Sequence, residues 1–581
     1  MFPSDLSGLL PLALSFAPFS ALWGPGVVSP TIRLDQAIVY GSTNGSVTSF
    51  LNIPFAEAPI GNLRLRLPKP IDGYNGTIDA TKLGPQCIQQ MLLYREDMPA
   101  EMLHDVLSAV NLSPIEPRPQ SEDCLNLNVL VPAGTTADEK LPVVVFIYGG
   151  GFSVGDNAQF NGEVIVQRSV EMGQPVIFAA MNYRLHAFGF LGGQEVKEAG
   201  IGNLGLHDQR EGLRWVKKYI ASFGGDPDKV TIWGPSAGGL SVGSQLVANG
   251  GNNEGLFHAA VLSCGTLLST GDTSNQQRFF DSVVADTGCA DAGDKLECLR
   301  RVPAESLAAA AATIPNIFDY TGLSSPQWFP HADGVFLKVP VREEVLSGRI
   351  AGVPFIAGQS PFAPALPSSD TESANRWFFG RRNDLRHWSM EHHHRRGIPR
   401  LHARLLLPRI VQRGSRALLA LYPNDPAQGS PFGTGDENQL APMFKRVSAF
   451  QGDFLFQAQQ RSLLALRSGK QPAWSYSAGA ALKASDTTDE HLCGSRPYQR
   501  HGGDLQLFGE GAELIDYLIQ FAATLDPNGG SNRTIPWPRY EPARRQTLLV
   551  QEGEEPLAVG RDDAREEAME FVAALSLKYP L

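Results

Sequence analysis

Residues Val230–Leu240 read V-T-I-W-G-P-S-A-G-G-L. An apolar, β-branched run ends at Gly234, and small residues then open what reads as a helix, so Ser236 falls on a sharp turn between a strand and a helix. Gly234 and Gly238 lack side chains, which lets such a strained turn close and leaves the Ser236 hydroxyl open to an incoming carbonyl carbon. Small-residue turns also occur without any nucleophile, so the surrounding text decides the reading.

Upstream, Leu125–Val131, Val143–Tyr148 and Val176–Asn182 are largely apolar, β-branched runs, as expected for buried strands in a mostly parallel sheet. A helical period over His207–Phe223 closes at Gly224 and Gly225. Strands alternating with helices predict an α/β sheet, in which ligands bind at the carboxyl ends of strands. Tyr148-Gly149-Gly150-Gly151-Phe152 follows one such strand directly, and consecutive glycines leave backbone N–H groups able to converge on an anion. Ser236 and the glycine loop both lie at strand ends and are candidates for one site.

Toward the N-terminus, Thr31–Ile53 reads as small hairpins broken at Gly41, Asn44 and Gly45. From Gln89 to Leu112, apolar residues recur at near-helical spacing, which suits either a surface helix or a movable flap over an apolar site. Leu9–Leu22 is apolar, too short to span a bilayer, and ends in small residues before Trp23, Gly24 and Pro25, so residues 1–22 are expected to be a signal peptide despite a flank that carries Asp5 and no Lys or Arg. Asn44, Asn75, Asn111 and Asn532 head Asn-x-Ser/Thr triplets, as a glycosylated, secreted chain would have. Six cysteines, an even count, suggest disulfides in that compartment; Cys289 with Cys298 would close a short polar loop. The 581 residues fit one large α/β domain over 23–581 with long insertions, and a net charge of −11 offers no basic face for nucleic acid or anionic lipid.

Several further stretches arrive in one order: S-E-D-C-L-N-L-N-V (Ser121–Val129), the glycine loop, N-Y-R-L and F-G-F-L (Asn182–Leu191), G-N-L-G-L-H-D-Q-R (Gly202–Arg210), F-G-G-D-P (Phe223–Pro227) and the Ser236 turn. Together they resemble the type-B carboxylesterase and lipase family, the cholinesterase-like branch of the α/β-hydrolase fold, and especially its secreted fungal members. The resemblance spans about Thr31–Gly358 and resumes over Leu418–Leu581. It implies that Ser236 forms an acyl-enzyme, that backbone N–H groups of Gly150, Gly151 and Ala237 make the oxyanion hole, and that His501, in His501-Gly502-Gly503-Asp504-Leu505, is the base. It also pairs Cys87 with Cys124 and Cys289 with Cys298, and makes the segment closed by the first pair a lid. Cys264 and Cys493 either stay as thiols or pair with each other. Pro235 stands where the family usually carries Glu, so cholinesterase activity is not expected; Cys264 stands where a Ser is usual.

A triad also needs a carboxylate to hold the histidine tautomer. The family places a Glu, in a Glu-Gly-Thr context, shortly after the strand that Val353–Gly358 resembles, and no such context exists here. Asp370, Glu372, Asp384 and Glu391 are the carboxylates nearby in sequence, and nothing in their neighbourhoods separates them. His392, His393 and His394 are adjacent and lack the helical spacing of a zinc pair, so neither metal nor cofactor is expected. Residues 359–416, rich in Arg, His, Ser and Pro, read instead as text translated out of frame. Starting each codon one nucleotide late, the codons for Glu391–Arg395 can encode Asn-Ile-Thr-Thr, and those for Gly397–Arg409 can encode E-F-R-A-Y-M-R-A-Y-F-F-P, both of which resemble family text.

The function expected is hydrolysis of apolar or bulky carboxylic esters, with an ester or lipid substrate and transient contact with a lipid interface. The rivals are an esterase or acyltransferase that tailors a secondary metabolite, and a cholinesterase-like binding protein without catalysis. Peptide mapping by mass spectrometry of the protein from its native source is expected to return E-F-R-type peptides and an upstream Glu in place of the printed 359–416. Peptides matching the printed text would mean a triad without its usual acid, which lowers turnover on the order of 10⁴-fold.

Overall fold

The computed structural model describes residues 29–90, 118–314, 327–359, 417–430, 432, 435–436, 444–478, 503–529, 535–551 and 555–581. Strands β1 (Thr31–Leu34) and β2 (Ala37–Tyr40) form one antiparallel hairpin, and β3 (Ser42–Asn44) and β4 (Val47–Pro54) a second, while β5 (Thr77–Asp79) lies parallel to β2. Strands β6 (Gln86–Cys87) and β7 (Gln120–Ser121) pair parallel beside the Cys87–Cys124 disulfide. The long strands follow: β8 (Asn126–Pro132), β9 (Leu141–Phe146), β10 (Ile177–Met181), β11 (Gly225–Pro235), β12 (Ala259–Ser263), β13 (Phe355–Gln359), β14 (Ala473–Ala478), β15 (Gln546–Val550) and β16 (Leu557–Arg561). With β3 and β4 they make an 11-stranded sheet of order β16-β15-β14-β13-β12-β11-β9-β10-β8-β4-β3.

The run from β10 through β15 is parallel throughout, and the sheet turns antiparallel at both ends. Helices pack on it: Ala237–Gly251 against β11 and β12, Ile515–Thr524 against β9 and β11, and Glu163–Glu171 against β8 and β10. Every residue of β10 and β12 is buried, which is why their sequences show no alternation. Strand β8 is equally buried yet antiparallel to β4 and β10, and its Asn126 and Asn128 are satisfied inside by donating to the Pro85 carbonyl at 3.1 Å and the Asn157 carbonyl at 3.3 Å.

The helix expected over 207–223 runs instead from Leu204 to Tyr219, followed by a short 3-10 turn, Ile220–Phe223. Its first turn contains Gly205, which disguises the start. That glycine serves close packing, since a Cβ there would lie 2.5 Å from both the Arg184 carbonyl oxygen and the Phe190 ring.

Two buried ion pairs tie the recurring motifs to the sheet. The Arg184 guanidinium, after β10, grips the Asp208 carboxylate of that helix at 2.8 and 2.6 Å, and the Arg184 backbone N–H donates to the same carboxylate at 3.0 Å. Arg64 binds Glu122 in a fork at 2.5 and 2.7 Å and donates to the carbonyls of Leu299 and Val302, so the helix Lys295–Arg301, which carries Cys298 of the Cys289–Cys298 disulfide, is moored to the segment after β7. Removing one partner of such a pair strands the other charge in the interior. Asp208→Ala is therefore expected to lower unfolding stability by about 3–5 kcal/mol, measured by urea denaturation; a loss under about 1 kcal/mol would mean that the pair is solvated.

Candidate active site

Strand β11 ends at Pro235, and the helix Ala237–Gly251 begins one residue later. Between them Ser236 adopts φ +54° and ψ −121°, a conformation that costs a non-glycine residue on the order of 1–3 kcal/mol. Its N–H donates to the Ser263 carbonyl at 2.8 Å, and its carbonyl accepts the Leu240 N–H at 2.9 Å. A Cβ on Gly234 would lie 2.5 Å from the Gly238 backbone, one on Gly238 2.0 Å from the Ile147 carbonyl oxygen, and one on Gly265 2.3 Å from the Ser236 carbonyl oxygen. Neither Gly234 nor Gly238 has a positive φ. These glycines are thus demanded by close approach of backbone to backbone, and the strained torsion is carried by the serine.

The glycine loop lies against this turn. A Cβ on Gly149 would fall 2.7 Å from the Pro235 carbonyl oxygen and 3.2 Å from the Ser236 Cβ. Gly150 and Gly151, with φ of +113° and +63°, reverse the chain, and the Gly150 carbonyl accepts N–H bonds from Ser153 and Val154, both at 3.1 Å. Among the described residues nothing accepts a hydrogen bond from the backbone N–H of Gly150, Gly151 or Ala237.

The base of the loop is fixed by stacked tyrosines. The Tyr148 hydroxyl donates to the Tyr183 carbonyl at 2.9 Å, the Tyr183 hydroxyl to the Tyr148 carbonyl at 3.0 Å, and their rings lie 4.2 Å apart. Burial pushes both phenols up, so both stay protonated donors. Glutamines hold the rest: the Gly149 N–H donates to Gln159 at 2.9 Å, the Gly155 N–H to Gln89 at 2.6 Å, and the Gln90 N–H to the Ser153 carbonyl at 2.9 Å. Gln89 and Gln90 follow Cys87 closely, so the Cys87–Cys124 bond anchors the segment that clamps the loop. These two residues open the stretch expected as a helix or flap, and here they are loop clamps; residues 91–112 of that stretch lie outside the described residues. Their role was missed in the sequence, where only their closeness to Cys87 hints at it.

Ser236, Gly150, Gly151 and Ala237 are thus brought together. His501, Cys493, Asn111, Asn532, Asp370, Glu372, Asp384 and Glu391 lie outside the described residues. The chain after His501 forms a 3-10 helix, Gly503–Phe508, with Leu505, Leu507 and Phe508 buried. Asn44 is exposed at the β3–β4 turn and Asn75 is exposed before β5. Cys264 is buried just past β12, with its N–H donating to the Gly358 carbonyl at 2.8 Å.

A serine on a strained strand-to-helix turn, beside a glycine loop at the carboxyl edge of a parallel sheet, defines an α/β-hydrolase. The family model described as Carboxylesterase family matches residues 28–572, and the chain belongs to that family. Among its relatives, the secreted triacylglycerol lipase LIP1 of Gibberella zeae is 34% identical, with 96% of this chain and 92% of that one covered. Secreted lipase 1 of Botryotinia fuckeliana is 36% identical over 88% of this chain and 87% of its own. The crystal structure of Aspergillus niger EstA superposes with a TM-score of 0.72 at 26% identity, covering 95% of this chain and 99% of that one. The protein is a serine carboxylic ester hydrolase.

Beside the loop, the buried His186 donates its Nε2–H to the Ile88 carbonyl, 2.9 Å away, and its backbone N–H donates to the Phe152 carbonyl at 2.8 Å. Burial pushes the imidazoles of His186, His207 and His331 down to about 4. Unfolded, each ring takes up its proton near pH 6.5, so between pH 6.5 and 4 the unfolded state binds more protons. Stability is full above pH 6.5 and is lost as pH falls, by about 3 kcal/mol per ring; Asp453, pushed up to about 6 by burial, works in the opposite direction. Urea titrations at pH 7.5 and 4.5 are expected to show a smaller loss in His186→Gln than in the parent, by about 2–3 kcal/mol. An unchanged loss would show that this ring is already protonated in the fold.

Proposed function

We propose that Ser236 is the nucleophile of this hydrolase, His501 the general base, and the backbone N–H groups of Gly150, Gly151 and Ala237 the oxyanion hole. The observation that carries this reading is the strained Ser236 turn lying against the glycine loop, with the N–H groups of Gly150, Gly151 and Ala237 taking no acceptor among the described residues. His501 removes the Ser236 hydroxyl proton as Oγ attacks the ester carbonyl carbon. Charge developing on the carbonyl oxygen is met by fixed N–H dipoles, with no reorganisation needed at that moment. The alcohol leaves with the proton from His501, and water, activated by the same imidazole, then releases the acid. The carboxylate that orients His501 is the Glu that the out-of-frame text of 359–416 displaces.

The substrate class proposed is an apolar acyl ester such as an acylglycerol, met at a lipid interface by a secreted, glycosylated, single-domain chain. The names of the lipase relatives and the two disulfides support this. So does the aromatic wall behind the loop, where Phe152 packs on Phe190 at 4.8 Å and on Phe329 at 5.3 Å.

Ser236→Ala is expected to cut p-nitrophenyl ester turnover by at least about 10⁴-fold, and to abolish labelling by a phosphonate probe, while the thermal melt stays at the parent temperature. Turnover retained in that variant would remove Ser236 from the mechanism.

A further inference from the structure

The peptide that holds the Ser236 N–H is itself held by a side-chain network running across the sheet. Ser263, the last residue of β12, gives its backbone carbonyl to the Ser236 N–H at 2.8 Å. Its Oγ accepts from the Trp233 indole N–H of β11 at 3.1 Å and from the Tyr476 hydroxyl of β14 at 2.9 Å. Ser263, Trp233 and Tyr476 are each fully buried.

Tyr476 belongs to the second strand away from Ser263, with β13 between them. The register makes the reach possible: Ser263 stands opposite Gly358, and Gly358 stands opposite Tyr476. A Cβ on Gly358 would lie 1.8 Å from the Tyr476 ring, so only a glycine lets the phenol cross β13 and meet the serine. A second contact reaches the other side of the site. Phe508, the last residue of the 3-10 helix that follows His501, packs on the Trp233 ring at 4.8 Å and on the Tyr476 ring at 6.1 Å. One platform of Trp233, Ser263 and Tyr476 is therefore common to the nucleophile's backbone bond and to the helix that carries the chain on from His501.

From this we infer that Ser263 and Tyr476 are positioning residues for the reaction: they fix the height and tilt of the Ser236 turn by fixing the one carbonyl that accepts its N–H. Ser263 acts in two capacities. Its side chain is clamped from β11 and β14, and its main chain passes that constraint to Ser236. Freed from the clamp, the Ser263 peptide would turn, and the strained φ of Ser236 would relax toward an ordinary value. Oγ would then shift with respect to the loop N–H groups. A displacement of about 1 Å at such a centre costs on the order of 10²-fold in rate and leaves ground-state binding nearly untouched.

The inference rests on Ser236 being the nucleophile, and the test separates the two. Tyr476→Phe keeps the ring and its packing on Phe508 and removes only the hydroxyl; Ser263→Ala removes the acceptor. In the full chain, each variant is expected to lower kcat for a p-nitrophenyl ester by about 10- to 100-fold with KM within twofold of the parent, and to slow phosphonate labelling by the same factor. The double variant is expected to match the worse single variant, because both break one clamp. A melting temperature close to the parent's in Tyr476→Phe keeps misfolding out of the comparison; should Ser263→Ala fold poorly, the labelling rate of Tyr476→Phe alone decides. Variants with kcat within twofold of an active parent, or with multiplicative losses, would overturn the positioning role alone. A parent that neither turns over the ester nor takes up the phosphonate would overturn the reading of Ser236, and this inference with it.

Discussion

The hydrogen bond from the Ser236 N–H to the Ser263 carbonyl is the constraint on which the candidate site depends. It joins β11 to β12 at the place where the chain leaves the sheet and turns into a helix, and it holds a serine in a region of φ that serines avoid. The energy for this comes from elsewhere in the fold: the buried strands and the helix Ala237–Gly251, packed on β11 and β12, leave the turn no other path. Close glycine contacts at Gly234, Gly238 and Gly265 then remove the space into which it would relax.

The glycine-loop side of the candidate site is built by different means. The glycine loop is buried, and its glycines offer no side chains to pack, so hydrogen bonds set its shape: two tyrosines at its base, and Gln89, Gln90 and Gln159 around it. The Cys87–Cys124 disulfide belongs to this arrangement, because it fixes the origin of the glutamine segment. The clamp holds the loop's backbone in one conformation. The two halves meet where Gly149 abuts Pro235 and Ser236, so a shift in either half is felt by the other.

Much of the α/β sheet was legible in the linear text because burial on both faces erases alternation, and the runs at Val143–Tyr148 and Val176–Asn182 show it. The helix beginning at Leu204 hides its first turn in the sequence because Gly205 looks like a helix breaker, when its missing side chain is what lets the helix pack on Arg184 and Phe190. In the sequence Gln89 and Gln90 look like the start of an amphipathic stretch, since hydrogen bonds to a loop more than sixty residues on leave no period in the text. Ser263 and Tyr476 gave no signal at all, for a serine at a strand end and a tyrosine in a strand are ordinary until register sets them on either side of a glycine.

The sequence by itself determined the alternation of strands and helix from Leu125 to Leu240, the sharp turn at Ser236, the glycine run and, through family resemblance, the pairing of the cysteines, because each of these is written in neighbouring residues or in motifs of fixed spacing. Only the tertiary structure decided that β8 runs antiparallel, that the flanking glycines answer to close contact rather than to torsion, and that a serine, a glycine and a tyrosine from three strands share one line beneath Ser236. Those facts depend on register and on distances between segments far apart in the chain. A linear text records neither until packing sets them.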